Sequence, residues 1–366
     1  MAELVAPVRS AVEEDLRDYL GGRVREAGEA DGEFGRDLAA SVAGFALGGK
    51  RLRSVVAWWG WLAGGGADDG ADARRALRAC AALELVQTWA LIHDDVMDGS
   101  DLRRGAPSVH AAHAAAHRSH GYAGEERRYA EGMAILAGDL ALVWADDMLD
   151  EALAGLATRE EARAVWRRMR TELIAGQFLD VRAPARRERS EATALRIDRL
   201  KTAAYSVERP LHLGAVMAGA DHGVVRALRD YGVDIGTAYQ LRDDVDSVYA
   251  DPARTGKDPG EDIRDGKCTL LMSAGLRLAE ERGDAEAARL IADPGADPDD
   301  ATVGAVVAAL DRVGARDEVE RRRRDLAARG AARLDGLVLG PRAAEALRLL
   351  GAAAAAPSEG VETLGG

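Results

Sequence analysis

The chain has 366 residues, with 49 basic and 62 acidic side chains and a formal net charge of −13. Its content of 47% hydrophobic but only 4% aromatic residues, with 74 alanines, favours helix over sheet and excludes collagen-like, disulfide-scaffold and disordered classes. The acidic balance argues against a general binder of nucleic acids or anionic membranes, so a phosphorylated ligand would need a local cation cluster or a metal.

Three polar residue types are almost missing from the sequence. There are only four lysines and three glutamines, and asparagine is absent, whereas arginine occurs 45 times. We expect the surviving lysines and glutamines to stand where a substitute is not tolerated.

Two features predict a cytoplasmic protein without a membrane span. Cys80 and Cys268 lie far apart and form no CxxC pair, which is typical of ordinary thiols in a reducing compartment. Residues 1–20 lack a basic segment followed by an apolar run, and no stretch of about 18 apolar residues occurs.

Helical periodicity dominates the chain from its first residues. The stretches 8–106 and 108–183 contain no proline, and apolar residues recur at spacings of three and four. No alternating β-branched run with a hairpin turn appears. We therefore predict an all-α fold of about a dozen helices, with loops near 64–72, 183–190, 251–266 and 293–300.

Composition and charge do not shift sharply along the chain. We predict one domain over residues 1–350, followed by a low-complexity, frayed tail over residues 351–366.

Two aspartate clusters suggest a magnesium site. In the first, Asp94, Asp95 and Asp98 follow a strongly apolar segment, and Asp94 and Asp98 share one helix face, one turn apart. Buried carboxylates must be paired or bind a cation, and hard oxygen ligands with room for water and phosphate suit Mg²⁺. The second cluster begins with Asp243 and Asp244. The alternative for the first cluster alone is a helix end with solvated carboxylates.

A third segment repeats the first spacing without the same context. Asp146, Asp147 and Asp150 are followed by no basic anion-binding motif. We interpret them as an ordinary charged helix face, so the spacing alone is weak evidence.

Basic residues follow or precede the aspartate clusters. GGKRLRS at 48–54 places two glycines before Lys50 and Arg53, a pattern that lets backbone amides and cations approach an anion. Arg103 and Arg104 come shortly after Asp98, and arginine forks bind phosphate oxygens in pairs. Each cluster alone fits a solvated surface, but together they indicate diphosphate groups held between metal and cations. Further basic or polar candidates are Lys201, Thr202, Lys257 and Lys267.

In order and spacing, these segments resemble the trans-isoprenyl diphosphate synthases of the polyprenyl synthetase family. The resemblance runs from about residue 48 to 271 and includes these motifs: GGKRLR, an ELxQ helix leading into DDxxD, RRGxPSxH, the pair Gly138–Asp139, GQxxD at Gly176 to Asp180, KT at 201–202, YQLRDD, GK, and DGKCTLL.

The resemblance implies a helical bundle around a deep central cavity, a homodimer, and prenyltransferase activity. An allylic diphosphate would be held by about three Mg²⁺ ions, with Mn²⁺ as an alternative, bound mainly by Asp94, Asp98 and Asp243. The family also implies that basic and amide side chains hold this diphosphate, namely Arg103, Lys201 and Lys257 with Gln240 and Lys267 nearby. From the same motifs, the resemblance implies that Thr202 binds substrate and that Asp95 and Asp244, like Asp94, Asp98, Arg103, Lys201, Asp243 and Lys257, are catalytic.

Isopentenyl diphosphate, by the same resemblance, would bind Lys50, Arg53, Gln87 and Arg104. Departure of the allylic diphosphate leaves a cation that the alkene of isopentenyl diphosphate attacks, and proton loss ends the cycle. Metal and cations stabilise the leaving group while apolar walls exclude water.

Product length depends in this family on the fifth residue before the first aspartate motif. That residue is Trp89, and its bulk would close the cavity early, whereas the neighbouring Ala90 is small. Without an insertion inside the motif, we predict geranylgeranyl diphosphate (C20) over farnesyl diphosphate (C15). The alternative for Trp89 is an ordinary core aromatic.

Two departures from the family pattern stand out. Ser247 replaces the third aspartate of the second motif, which weakens the outer metal shell but spares Asp243 and Asp244. The segment 110–120 carries four histidines at helical spacing; we expect them to be exposed, and the alternative is a transition-metal site.

Two rival functions are less well supported. A class I terpene cyclase shares the fold, but its second metal motif generally needs asparagine, which this chain lacks, and it does not need isopentenyl-site cations. An inactive regulatory subunit would show eroded aspartate or lysine positions, and only Ser247 is altered.

Overall fold

The computed structural model describes residues 2–249, 260–295 and 298–356. These residues form sixteen α-helices and two π-helical segments, more than the dozen helices predicted. In chain order they are α1 (Ala2–Ala30), π1 (Phe34–Ala39), α2 (Ala40–Ala46), α3 (Leu52–Ala63), α4 (Gly70–Asp98), α5 (Val109–His120), α6 (Glu126–Ala152), α7 (Arg159–Ala185), α8 (Glu191–Ile197), π2 (Asp198–Glu208), α9 (Arg209–Met217), α10 (His222–Tyr249), α11 (Glu261–Arg264), α12 (Leu270–Arg282), α13 (Ala285–Ala292), α14 (Asp300–Arg312), α15 (Ala315–Ala332) and α16 (Pro341–Ala355).

One β-ribbon interrupts the helices between α4 and α5. Strands β1 (Leu102–Arg103) and β2 (Ala106–Pro107) pair in an antiparallel register. Arg104 and Gly105 form the turn with φ of 56° and 74°, the positive values that a two-residue hairpin favours. Strands of two residues are too short to produce an alternating pattern, so the sequence did not predict them.

Two groups of buried apolar side chains form the core, and α10 contributes to both. Leu228 and Ile235 belong to the larger group, whereas Leu241 and Val248 belong to the second. Asp243 and Asp244 lie in this second half of α10. The second aspartate cluster therefore stands on a helix that is anchored by burial along most of its length.

Two helices extend further than the sequence suggests. Helix α7 continues through Pro184 to Ala185, past the start of the loop expected at 183; the missing N–H of Pro184 removes one hydrogen bond from the last turn of the helix. Helix α16 extends beyond residue 350 to Ala355, and Ala353 and Ala354 are buried rather than frayed. The prediction for residues 357–366 lies outside the described residues.

The histidines of α5 also differ from expectation. His113 and His117 are buried, not exposed, and the His117 ring lies 5.2 Å from that of Tyr129. Across residues 2–249, 260–295 and 298–356, no group of three or more His, Cys, Asp or Glu side chains is arranged to hold a metal ion.

Within the same described ranges, no helix combines the length and the apolar character needed to cross a membrane.

Candidate active site

Two adjoining cavities occupy the space between α4, α7, π2 and α10. The first, about 430 Å³, is lined mainly by aspartates and by Lys50, Lys201 and Lys267. The second, about 780 Å³, is lined mainly by apolar side chains. Asp94, Lys201 and Thr202 line both, so the charged and apolar spaces meet at these residues.

Asp94 is held at this junction by two side chains from other helices. Its Oδ1 accepts hydrogen bonds from Gln177 Nε2 at 2.9 Å and from Lys201 Nζ at 3.1 Å. Lys201 Nζ also donates to Asp180 Oδ2 at 2.6 Å. Burial opposes ionisation, but the charge and hydrogen bond of Lys201 outweigh it, so the pKa of Asp94 lies below its usual range.

The close approach of α7 and π2 depends on a missing side chain. A Cβ at Gly176 would lie only 2.5 Å from the backbone N of Lys201. The glycine therefore lets π2 pass against α7 and places Lys201 beside Gln177 and Asp180. π-Helical turns are rare and occur frequently at functional sites.

The other two residues of the first aspartate cluster have different partners. Asp95 is buried and accepts hydrogen bonds from Arg103, with Nε at 2.7 Å from Oδ1. The same guanidinium lies 3.7 Å from Asp94. Asp98 Oδ2 accepts from Lys267 Nζ at 3.2 Å, and burial raises the pKa of Asp98. Arg103 and Asp95 thus form a support behind Asp94, which lines the charged cavity, whereas Asp98 does not line it and contacts it only through Lys267.

The second aspartate cluster faces the first across the charged cavity. Asp243 is exposed and lines the cavity, whereas Asp244 is buried and accepts from Gln240 Nε2 at 2.7 Å. Burial and the nearby carboxyl of Asp262 raise the pKa of Asp244. Ser247 Oγ donates to Asp262 Oδ2 at 2.6 Å. The Asp262 carboxylate therefore lies next to the position that the side chain of an aspartate at 247 would take.

The predicted isopentenyl-site residues lie on α3, α4, the β-ribbon and the loop before α3. Arg53 and Gln87 both line the apolar cavity, and Lys50 lines the charged one. Arg104 at the ribbon turn packs against the glycine pair at 48–49: a Cβ at Gly49, which has φ 113°, would lie 2.9 Å from Arg104 Nη2. The glycines therefore allow the guanidinium to lie directly on the loop that carries Lys50.

The product-length candidates lie where the resemblance puts them. Trp89 is buried and lines the apolar cavity together with Ala90. Its ring meets that of His93 edge-on, with centroids 6.0 Å apart. The His93 ring in turn packs on α6, where a Cβ at Gly138 would lie 2.2 Å from His93 Nε2. The Trp89 indole therefore packs against His93 on one side and lines the apolar cavity on the other.

The third aspartate series behaves as an ordinary charged face. Asp146 accepts from Trp166 Nε1 at 2.7 Å and pairs with Arg170, and Asp150 pairs with Arg163. None of these residues lines either cavity.

Sequence reasoning missed several residues that line the charged cavity. Asp180 stood in a recognised motif without an assigned role, and Asp262 precedes the DGKCTLL motif by three residues. Asp198 gave no signal, because neither periodicity nor a motif marks it; its carboxyl is buried and Oδ2 has no hydrogen-bond partner among the described residues. Lys257 lies outside the described residues.

Comparisons with known proteins identify the family of this chain. The family model of polyprenyl synthetase matches residues 38–308. Geranylgeranyl diphosphate synthase of Sulfolobus acidocaldarius is 32% identical over 274 residues, covering 74% of this chain and 73% of that protein. Geranylfarnesyl diphosphate synthase of Natronomonas pharaonis is 33% identical over 261 residues, covering 71% and 69%.

A solved structure of high similarity extends the agreement to the fold. Geranylgeranyl pyrophosphate synthase from Corynebacterium glutamicum, complexed with isoprenyl diphosphate and magnesium, superposes with a TM-score of 0.90 at 38% identity. The match covers 96% of this chain and 99% of that one. The predictions of an all-α isoprenoid synthase fold and of a short-chain prenyltransferase are confirmed. The chain therefore belongs to the polyprenyl synthetase family.

Proposed function

We propose that this chain joins isopentenyl diphosphate to an allylic diphosphate and releases diphosphate, giving an all-trans prenyl diphosphate. The observation that carries the proposal is the position of Lys201 and Asp94 at the junction of the two cavities. Charge for binding a diphosphate lies on one side of them, and apolar walls that suit a prenyl chain lie on the other.

Magnesium fits the donors of the charged cavity. Asp94, Asp98 and Asp243 would hold the ions with carboxylate oxygens, which Mg²⁺ prefers, and water and diphosphate oxygens would complete each shell. We expect about three ions, with Mn²⁺ able to replace them. When bound, the metal would neutralise charge on the departing diphosphate.

The chain's own residues would bind and orient the allylic substrate. Lys201, Lys267 and Arg103 lie beside the aspartates and would donate to diphosphate oxygens, and we assign the same role to Lys257. The apolar cavity would exclude water from the allylic cation, so that the alkene of isopentenyl diphosphate reacts first. The released diphosphate would accept the proton, so no side chain needs to act as the base.

Isopentenyl diphosphate would bind the cations of α3, of the loop before it and of the ribbon turn. Lys50, Arg53 and Arg104 supply positive charge, and Gln87 supplies an amide donor. All four lie on rigid elements or on a loop held by close glycine packing, an arrangement that limits the entropy lost on binding.

We propose geranylgeranyl diphosphate (C20) as the main product. Trp89 would stop the growing chain, and the small side chain of Ala90 leaves room before that point. Removal of the indole should therefore lengthen the product.

A homodimer is the assembly that the exposed surface favours. Six large apolar side chains on α6 and α7 are 47–57% exposed: Ile135, Leu136, Val143, Ile174, Phe178 and Val181. The spacing of those on α7 puts them on one helix face, and exposed apolar surface of this kind usually marks an interface. Three of these residues also line the apolar cavity, so a second copy would cover its outer wall. Light scattering should give a dimer, and Phe178→Glu should shift it to the monomer mass.

The location we propose is the cytoplasm. Both cysteines are buried and unpaired, as is typical of a reducing compartment.

The experiment that tests the function is product sizing. The purified chain is incubated with Mg²⁺, isopentenyl diphosphate and each of dimethylallyl, geranyl and farnesyl diphosphate. We expect consumption of isopentenyl diphosphate and a C20 product. Cyclic hydrocarbons formed without isopentenyl diphosphate would instead indicate a cyclase, and activity that appears only with a second protein would indicate a regulatory subunit.

A further inference from the structure

Two neighbouring residues of π2 contact two of the side chains assigned to isopentenyl diphosphate. Tyr205 is buried and its hydroxyl donates to Gln87 Oε1 at 2.9 Å. Its ring lies under the Arg53 guanidinium, 4.3 Å from Cζ to the centroid. Ser206 Oγ accepts from Arg53 Nη2 at 2.9 Å.

The hydrogen bond to Gln87 decides which end of the amide faces the cavity. An amide presents an acceptor oxygen and a donor NH₂ group, and only the donor can bind a phosphate oxygen. The Tyr205 hydroxyl occupies the oxygen, which leaves the NH₂ group for the ligand. Burial raises the pKa of Tyr205, so the hydroxyl keeps its proton and stays a donor.

The contacts to Arg53 fix a second donor in place. A guanidinium over an aromatic ring is attracted to the π-face, and the Ser206 hydroxyl holds one of its nitrogens. A long arginine side chain loses considerable rotamer freedom when it binds a ligand. Because π2 restrains Arg53 beforehand, less of that freedom would be lost on binding.

We infer that Tyr205 and Ser206 are positioning residues that set the donor direction of Gln87 and the place of Arg53 for the diphosphate of isopentenyl diphosphate. The inference rests on the proposed function. The same π-helical segment carries Lys201 toward the allylic side. π2 therefore aligns the two substrates relative to each other.

The test measures KM separately for each substrate. Tyr205→Phe keeps the ring under Arg53 and removes only the hydroxyl. It should raise KM for isopentenyl diphosphate by about three- to tenfold, the range expected for one hydrogen bond to a ligand-binding amide. KM for the allylic diphosphate should change by less than about twofold. Ser206→Ala should act in the same direction.

A double variant tests whether Tyr205 acts through Gln87. Residues that share one interaction give non-additive effects. The double variant Tyr205→Phe/Gln87→Ala should therefore have nearly the same KM for isopentenyl diphosphate as Gln87→Ala alone. Tyr231→Phe is the matched control: it removes another buried hydroxyl, which donates to Leu347 O at 2.6 Å, and should lower stability without changing either KM.

Three results would distinguish the possibilities. No consumption of isopentenyl diphosphate by the wild-type chain would refute the proposed function. A wild-type enzyme that works, with an unchanged KM for isopentenyl diphosphate in Tyr205→Phe, would refute only the positioning role. Equal rises in both KM values, or the same rise in Tyr231→Phe, would point to a general structural effect and also refute it.

Discussion

Lys201 Nζ lies 3.1 Å from Asp94 Oδ1 at the point where the charged and apolar cavities meet. Lys201→Met would leave the Asp94 and Asp180 carboxylates without this shared cation. We expect kcat to fall about 100-fold, as for the loss of one aligned charge donor. Steady-state kinetics would test this prediction, and circular dichroism would verify folding. A variant with kcat within twofold of wild type would show that Lys201 does not stabilise the leaving group.

The two DDxxD series offer a matched comparison. Asp98→Ala and Asp150→Ala remove the last aspartate of identical spacings, but only Asp98 contacts Lys267 at the charged cavity. We expect Asp98→Ala to lose about 100-fold or more in kcat/KM. Asp150→Ala removes a half-exposed pair with Arg163 and should lower stability by about 1 kcal/mol or less, without loss of activity. Equal activity of the two variants would contradict the assignment of Asp98.

Trp89 should limit the product through the volume of its indole. Trp89→Phe should shift the products of geranyl and farnesyl diphosphate extension toward longer chains, and Trp89→Ala should shift them further. Chromatographic sizing of the products would show this graded change. Trp58→Phe removes the same indole from α3, outside both cavities, and should leave the products unchanged. An unaltered product with Trp89→Ala would place the end of the prenyl chain elsewhere.

Substitutions at Ser247 allow metal binding and stability to be measured separately in the second aspartate cluster. Its hydroxyl donates to Asp262, so Ser247→Asp would set two carboxylates against each other. Without magnesium, we expect the free energy of unfolding to fall by about 1–3 kcal/mol. Added magnesium should restore more stability to this variant than to wild type, because a cation relieves the repulsion. Thermal unfolding at increasing Mg²⁺ concentrations would measure this response, and Ser247→Ala is the uncharged control. An identical magnesium response of Ser247→Asp and Ser247→Ala would contradict the prediction.

His212 should make the protein sensitive to acid. Burial, reinforced by the charges of Arg229 and Arg209, lowers the pKa of His212 to about 3. Between that value and its ordinary pKa the unfolded chain binds a proton that the folded chain does not, so stability falls as the pH drops from about 6.5 toward 3. Within this window, His212 lowers the free energy of unfolding by up to about 1.4 kcal/mol for each unit by which the pH falls.

Denaturant titrations between pH 4 and 7 would isolate this effect. His212→Gln retains an acceptor for Arg209, whose Nη1 lies 3.1 Å from His212 Nδ1, but it does not titrate. The variant should therefore show a weaker pH dependence than wild type. Parallel curves for the two proteins would show that His212 does not contribute.

Much of the site could be predicted from the scarcity of two residue types. Lys50, Lys201 and Lys267 line the charged cavity, as does Gln240, while Gln87 and Gln177 line the apolar one. Arginine serves equally well on a solvated surface, so a lysine remains where a compact ammonium must fit between carboxylates, as Lys201 does between Asp94 and Asp180.

What the sequence did not predict depends on contacts between distant segments. Asp198 and Tyr205 lie on π2, which approaches α7 closely at Gly176, and a π-helical segment leaves no distinct periodicity in the sequence. The β-ribbon was not predicted because each strand has only two residues. The burial of His113 and His117 was not predicted because no apolar pattern or motif in the sequence indicates it.

The stoichiometry of the reaction tests the central claim most directly. Diphosphate release and isopentenyl diphosphate consumption are measured in one reaction with farnesyl diphosphate and Mg²⁺, and then after chelation with EDTA. We expect one diphosphate to be released for each isopentenyl diphosphate consumed, and neither release nor consumption after chelation. Diphosphate release without consumption of isopentenyl diphosphate, or consumption that persists in EDTA, would contradict it.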